Sequence, residues 1–107
     1  MYYIPKTMPN GMTYETTFHM DFDIAEHFGM KGVIDTFKRA FKEWKNDIEY
    51  VTELGIVMNE RCWFWYHHGQ EELSKYYAER WCEIRDYIYK AKCFKEEDRN
   101  YFFKMTD

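Results

Sequence analysis

Residues 48–68 read IEYVTELGIVMNERCWFWYHH, and the fold turns on how this stretch is read. At about 100° per residue, Ile48, Val51, Leu54, Gly55, Met58, Cys62, Trp65 and Tyr66 gather within roughly 120° of arc. The spacing predicts a helix from roughly Asp47 to His68, ended by Gly69, with this stripe against the core. Cys62 and Trp65 lie on the stripe and so read as packing. Ile56, Val57, Trp63 and Phe64 lie on the other side, and only Glu49, Glu53, Glu60 and His67 make a consistently polar strip. A helix apolar nearly all round must be covered nearly all round. It is therefore central to the fold, or it carries a second surface met by an N-terminal arm, a second copy or another protein. The adjacent His67 and His68 lie about 100° apart, too far round the helix to face one ion together. A haem could in principle use His68, but nothing beside it supports one.

The segments around this helix read as helices too. Asp21 can cap a short helix over Phe22 to Phe28, with Gly29 as its stop. From roughly Lys31 to Lys45, Val33, Ile34, Phe37, Ala40, Phe41 and Trp44 form one stripe, while Lys38, Arg39, Lys42 and Glu43 occupy the other side. Asn46 and Glu49 have the spacing of a capping box, which breaks the chain before the central helix; a continuous helix is the alternative. Leu73, Tyr77, Trp81, Ile84, Ile88 and Ala91 give a stripe over Glu71 to Ala91. A terminal helix near Glu96 to Lys104 turns Phe94, Tyr101, Phe102 and Met105 inward. Before residue 21, Pro5, the turn signal Pro9-Asn10-Gly11 and the run MTYETTF suggest a β-hairpin or an extended arm. The expected fold is mainly α: one domain over 1–107, with an arm or hairpin in 1–20. Its helical body, 21–107, is a compact bundle of three long and two short helices.

Composition narrows the function. The chain has 107 residues, of which 4 Trp, 10 Tyr and 9 Phe supply the bulk of the large apolar side chains, with only Leu54 and Leu73 as leucines. Rings fill cores and are also enriched where proteins meet. A formal net charge of −4 argues against sequence-independent nucleic-acid binding, which needs a basic surface. The absence of a long apolar run or a signal-type opening suggests a soluble, intracellular protein off the membrane. Cys62, Cys82 and Cys93 form no C-x-x-C pair and read as reduced thiols.

Several constellations could carry chemistry. His19, Asp21, Asp23 and His27 are the best metal candidates, since Asp23 and His27 share a helix face; capping and packing explain the same residues. There is no Glu-x-x-His, phosphate loop, G-x-G-x-x-G or G-x-S-x-G. The single serine, Ser74, sits in a polar register, and Cys62 reads as a buried, inert thiol. Arg80 is the one charge inside the fourth helix's apolar stripe, which suggests a partly buried pair with Asp35, Glu43 or another carboxylate, or an outward-snorkelling stem. Tyr76, Tyr77, Tyr87 and Tyr89 could stack bases, but no basic groove accompanies them.

The run TTFHMDFDIAEHFGMKGVIDTFKRAFKEWKNDIEYVTEL, then VMNERCWFWY and the closing YFFKMTD, resemble a group of small proteins encoded in phages, integrative elements and gut-bacterial genomes. The most characteristic words are Asp35-Thr36, Arg39-Ala40-Phe41, Glu43-Trp44-Lys45, Thr52-Glu53-Leu54 and Thr106-Asp107. The resemblance covers roughly Thr16 to the end and brings no established activity, so no catalytic residue is carried over. It implies an accessory role in a bacterial or phage-infected cytosol.

The leading expectation is a non-enzymatic binding protein that needs no cofactor and acts on a protein partner or a second copy through Ile56, Trp63 and Phe64, with Tyr2 and Tyr3 from the arm. An inhibitor of a host defence complex, of the anti-CRISPR kind, is the concrete version the resemblance suggests. The alternative is a metal-dependent enzyme or metal-binding protein built on His19, Asp21, Asp23 and His27. A third reading, a nucleic-acid accessory factor using Lys38, Arg39, Lys42 and Lys45, is weakened by the acidic neighbours of that strip.

Overall fold

The computed structural model describes residues 6–7, 13–14 and 17–106. In chain order its helices are α1 (Phe18–Glu26), α2 (Gly29–Trp44), α3 (Ile48–His67), α4 (Glu71–Lys90) and α5 (Glu96–Thr106). The expected bundle of three long and two short helices is what the described residues form. Ahead of α1, Lys6 pairs antiparallel with Tyr14 and Thr7 with Thr13. The rest of the expected arm or hairpin up to residue 16, Tyr2 and Tyr3 included, lies outside the described residues.

α1 begins four residues before its expected start. Phe18 and Phe22 are one turn apart and both are buried, so packing extends the helix past Asp21. Asp21 therefore sits inside the first turn rather than at the cap, and accepts a hydrogen bond from Thr17 Oγ1 at 3.2 Å. At the other end the chain turns through Gly29, whose φ of +77° suits glycine alone, and α2 follows at once. Gly32 then lets α2 lie close on α1: a Cβ there would stand 2.6 Å from the Ala25 carbonyl oxygen.

The break before α3 is real, but its cap is one residue later than the capping box suggests. Asp47 Oδ1 accepts from the backbone N–H groups of Glu49 and Tyr50 at 3.0 and 3.1 Å. Asn46 instead accepts from the Tyr87 hydroxyl at 2.6 Å. α3 ends at His67, and the chain leaves it through Gly69, with φ +74°.

α3 and α4 make the central pair. They approach closely at Gly55, where a Cβ would lie 3.1 Å from the Trp81 ring and 3.2 Å from Ile84. Val51, Leu54, Val57 and Met58 of α3 meet Tyr77, Ile84 and Ile88 of α4 in one core cluster, all at most 1 % exposed. Each such aliphatic side chain contributes about 1.5–3 kcal/mol by leaving water. Val33 and Phe37 of α2 enter from one side, and Phe94 and Phe102 close the far end, with Tyr101 and Met105 half-buried as the pattern anticipates.

Four expectations about exposure need correction. Val57, expected on the second surface of α3, is wholly buried, so that face is covered at its middle by the rest of the fold. Glu53, placed on the polar strip, is buried, and Tyr66, placed on the core stripe, is 64 % exposed. Ser74 is buried too, because its hydroxyl donates to the Cys62 carbonyl at 2.9 Å and so needs no water.

Candidate functional site

The RCWFWYHH turn splits into an inward cluster and an outward one. Inward, Arg61 is among the largest fully buried side chains, at 1 % exposure. It lies on the line Val51, Leu54, Met58, Arg61, Trp65, whose alternating three- and four-residue spacing keeps it facing α1 and α4. α1 supplies its acceptors. Nη1 donates to Glu26 Oε2 at 2.8 Å; Nη2 donates to Asp23 Oδ1 at 2.6 Å and to the His19 carbonyl at 2.7 Å. The same Glu26 oxygen accepts from Trp65 Nε1 at 2.9 Å and from the Tyr77 hydroxyl at 2.6 Å. One carboxylate on α1 is thereby tied to two side chains of α3 and one of α4.

Electrostatics agree with this geometry. Burial opposes a charged Arg61, but its hydrogen bond to Asp23 and the charge of Glu26 outweigh that and hold its pKa above the ordinary value. Burial likewise raises the Asp23 carboxyl, yet the hydrogen bond and charge of Arg61 lead the opposing causes and leave it below its usual value. Burial, reinforced by Glu26, pushes the Tyr77 phenol far up, so it stays a neutral donor. A guanidinium this enclosed cannot touch a substrate, so the cluster acts as a pin between helices.

The pin disposes the metal candidates differently from the expected set. Asp23 turns to Arg61, and Asp21 to Thr17. His19 is buried with Nε2 at 3.3 Å from Glu60, while His27 is exposed at the end of α1. Among the described residues no three His, Cys, Asp or Glu side chains are placed to hold a metal ion. Arg80 pairs with Glu83, one turn on and not with Asp35 or Glu43, and its guanidinium lies 4.7 Å over the Tyr76 ring; its side chain keeps 27 % exposure. Among the described residues the strongly buried cation is Arg61, not Arg80.

The outward cluster consists of rings. Trp63, Phe64 and Tyr66 are 55 %, 38 % and 64 % exposed, and His67 and His68 are exposed beside them. These rings hold one another in place. Trp63 stacks on His67 at 6.2 Å and meets Tyr66 edge-on at 5.8 Å, and Phe64 stacks on His68 at 4.2 Å. His68 Nδ1 is fixed on the Phe64 carbonyl at 2.7 Å. Ile56, two turns earlier on the same side as Trp63, is half-buried. Trp65, between them in sequence, is half-buried and anchored to Glu26, so the patch stands on the pin. Cys62 is half-buried against Ser74, and Cys82 and Cys93 are exposed free thiols.

Comparison with known proteins returns no matching family model, no matching curated protein and no matching solved structure. Among the described residues no helix is long and apolar enough to cross a membrane.

Proposed function

We propose that this protein is a non-enzymatic binding module that docks a protein partner through the ring patch at the C-terminal end of α3. The observation that supports the reading is that Trp63, Phe64 and Tyr66 are all exposed within a single helical turn. Isolated surface rings are ordinary, but adjacent large rings left in water mark interaction sites. Mutual stacking adds to the case. Rings already fixed in one arrangement lose little conformational freedom when a partner covers them. The narrower version, inhibition of a host defence complex, rests on the resemblance to phage and mobile-element proteins.

The test compares three full-length proteins in affinity capture from bacterial extract: wild type, Trp63→Ser/Tyr66→Ser, and Tyr89→Ser, which changes an exposed ring elsewhere. Circular dichroism verifies equal folding. The expected result is a specific protein retained by wild type and Tyr89→Ser and lost by the double variant. Equal capture by all three, or no captured protein at all, overturns the reading.

A further inference from the structure

The ring patch leaves a second surface unexplained. A cleft of about 660 Å³ lies between α1 and α2, with Ile24, Phe28, Ala40 and Trp44 among its apolar lining. Along it runs a file of four exposed charges on α2, Lys31, Asp35, Arg39 and Glu43, spaced four residues apart and alternating in sign. Such spacing ordinarily serves ion pairs within the helix. Here it does not. Among the described residues none of the four forms an ion pair, and Arg39 reaches only Thr36 Oγ1, at 3.5 Å.

A file that alternates in sign over an even number of places is complementary to itself when turned end over end. A two-fold axis does this. In the antiparallel register that sets Lys31 opposite the partner's Glu43, Asp35 falls opposite the partner's Arg39, and symmetry repeats both pairs. Every facing pair is then of opposite charge. The same register carries Phe28, 74 % exposed, towards the end of the partner's α2 that holds Trp44. A file with as many positive as negative charges also adds no like-charge repulsion of its own to that between two copies of net charge −4.

We infer that the α2 side of this cleft is an isologous contact with a second copy of the chain, α2 lying antiparallel to α2. With 16 residues, α2 is about 24 Å long. A strip of that length and one helix wide covers well under the roughly 800 Å² per partner of a stable interface, so the dimer is weak and concentration-dependent. It uses none of the rings at Trp63 to Tyr66, so it stands independently of the proposed docking patch.

Sedimentation equilibrium of the full chain, from micromolar to millimolar concentration at low and high salt, tests this. Wild type should pass from monomer to dimer with rising concentration, less readily at high salt. Asp35→Arg and Arg39→Asp each set like charges opposite one another twice, and each should weaken the dimer about tenfold. The double swap Asp35→Arg/Arg39→Asp restores opposite-sign facing and should return the constant to near the wild-type value. Lys31→Glu and Glu43→Lys, alone and together, give a second cycle at the other pair. All these positions are exposed, and circular dichroism shows whether each variant keeps the fold. A wild type that stays monomeric throughout overturns the inference. So do single variants that dimerise unchanged, or a double swap no tighter than the singles.

Discussion

Arg61 shows how much one residue can determine. Its guanidinium is dry; of its two carboxylate partners on α1 the Glu26 side chain is nearly so, at 11 % exposure, while that of Asp23 is half-buried, at 31 %. Removing such a cation leaves carboxylates buried without compensation, which costs about 3–5 kcal/mol. Arg61→Met should therefore lower the unfolding free energy by that order in urea titration, and Arg61→Lys should recover only part of it, because an ammonium cannot reproduce the forked contacts to both carboxylates. A loss below about 1 kcal/mol for Arg61→Met, within the range of exposed ion pairs, would show that the pin is not buried in solution. The pH dependence follows from the same geometry. Folding lowers the Asp23 carboxyl, so its stabilising contribution is present above the ordinary value near 3.8 and is lost as pH falls through the folded value. Glu49 acts in the opposite sense: burial, then the charge of Asp47, raises its carboxyl, so stability is gained as pH falls through that raised value. Denaturant midpoints measured from pH 6 down to pH 2.5 should show Glu49→Gln removing the gain and Asp23→Asn removing the later loss. Parallel profiles for wild type and Asp23→Asn would contradict the ion pair.

At the scale of the helix, periodicity made the stripes of α2, α4 and α5 legible, because each has one apolar side and one polar side. α3 has no such contrast, and a wheel cannot say which flank of a nearly all-apolar helix meets which neighbour. That is why Val57 and Tyr66 were exchanged between core and surface. A signal for Arg61 was nonetheless in the sequence. It is the only Lys or Arg between Asp47 and His68, on the core spacing of Leu54, Met58 and Trp65, and α1 carries Asp23 and Glu26 three residues apart. The exposure of Trp63 and Phe64 agrees with the sequence, whereas the mutual stacking with His67 and His68 depends on rotamers that no linear pattern encodes. The join of α1 to α2 was equally hidden, because it depends on how closely two backbones approach. Gly32→Ala tests it. A methyl there overlaps the Ala25 carbonyl and would stand 2.9 Å from Phe28 Cβ. Helix propensity alone would favour alanine by about 1 kcal/mol. The expected result is a net loss of about 1–2 kcal/mol in thermal or urea unfolding, since overpacking against backbone costs more than the propensity gain. A stabilised variant would mean that α1 and α2 are not in contact at this point.

At the scale of the molecule, the helices are not equally secured. α3 and α4 share an apolar seam from Val51 and Leu54 to Ile84 and Ile88, whereas α1 is held by a few buried rings and by the polar pin. Apolar seams keep their energy whatever a distant charge does, but a pinned helix depends on every partner of the pin. The chain should therefore open in stages, with α1 released before the α3–α4 pair. Native-state hydrogen exchange on Glu26→Gln examines this directly. The amide keeps the side chain's size and an acceptor oxygen but loses the charge that Arg61, Trp65 and Tyr77 share. Protection over the amides of α1 should fall at least tenfold, while the centre of α3 and the Tyr77–Ile88 stretch of α4 keep the slowest exchange in the protein. A uniform fall across all helices would show instead that α1 opens only with global unfolding. The staged outcome also bears on docking: Phe64 and His68 are joined to α1 through Trp65 and Glu26, so release of α1 would disturb Phe64 and His68, while the Tyr89–Phe103 ring pair on α4 and α5 would be unaffected.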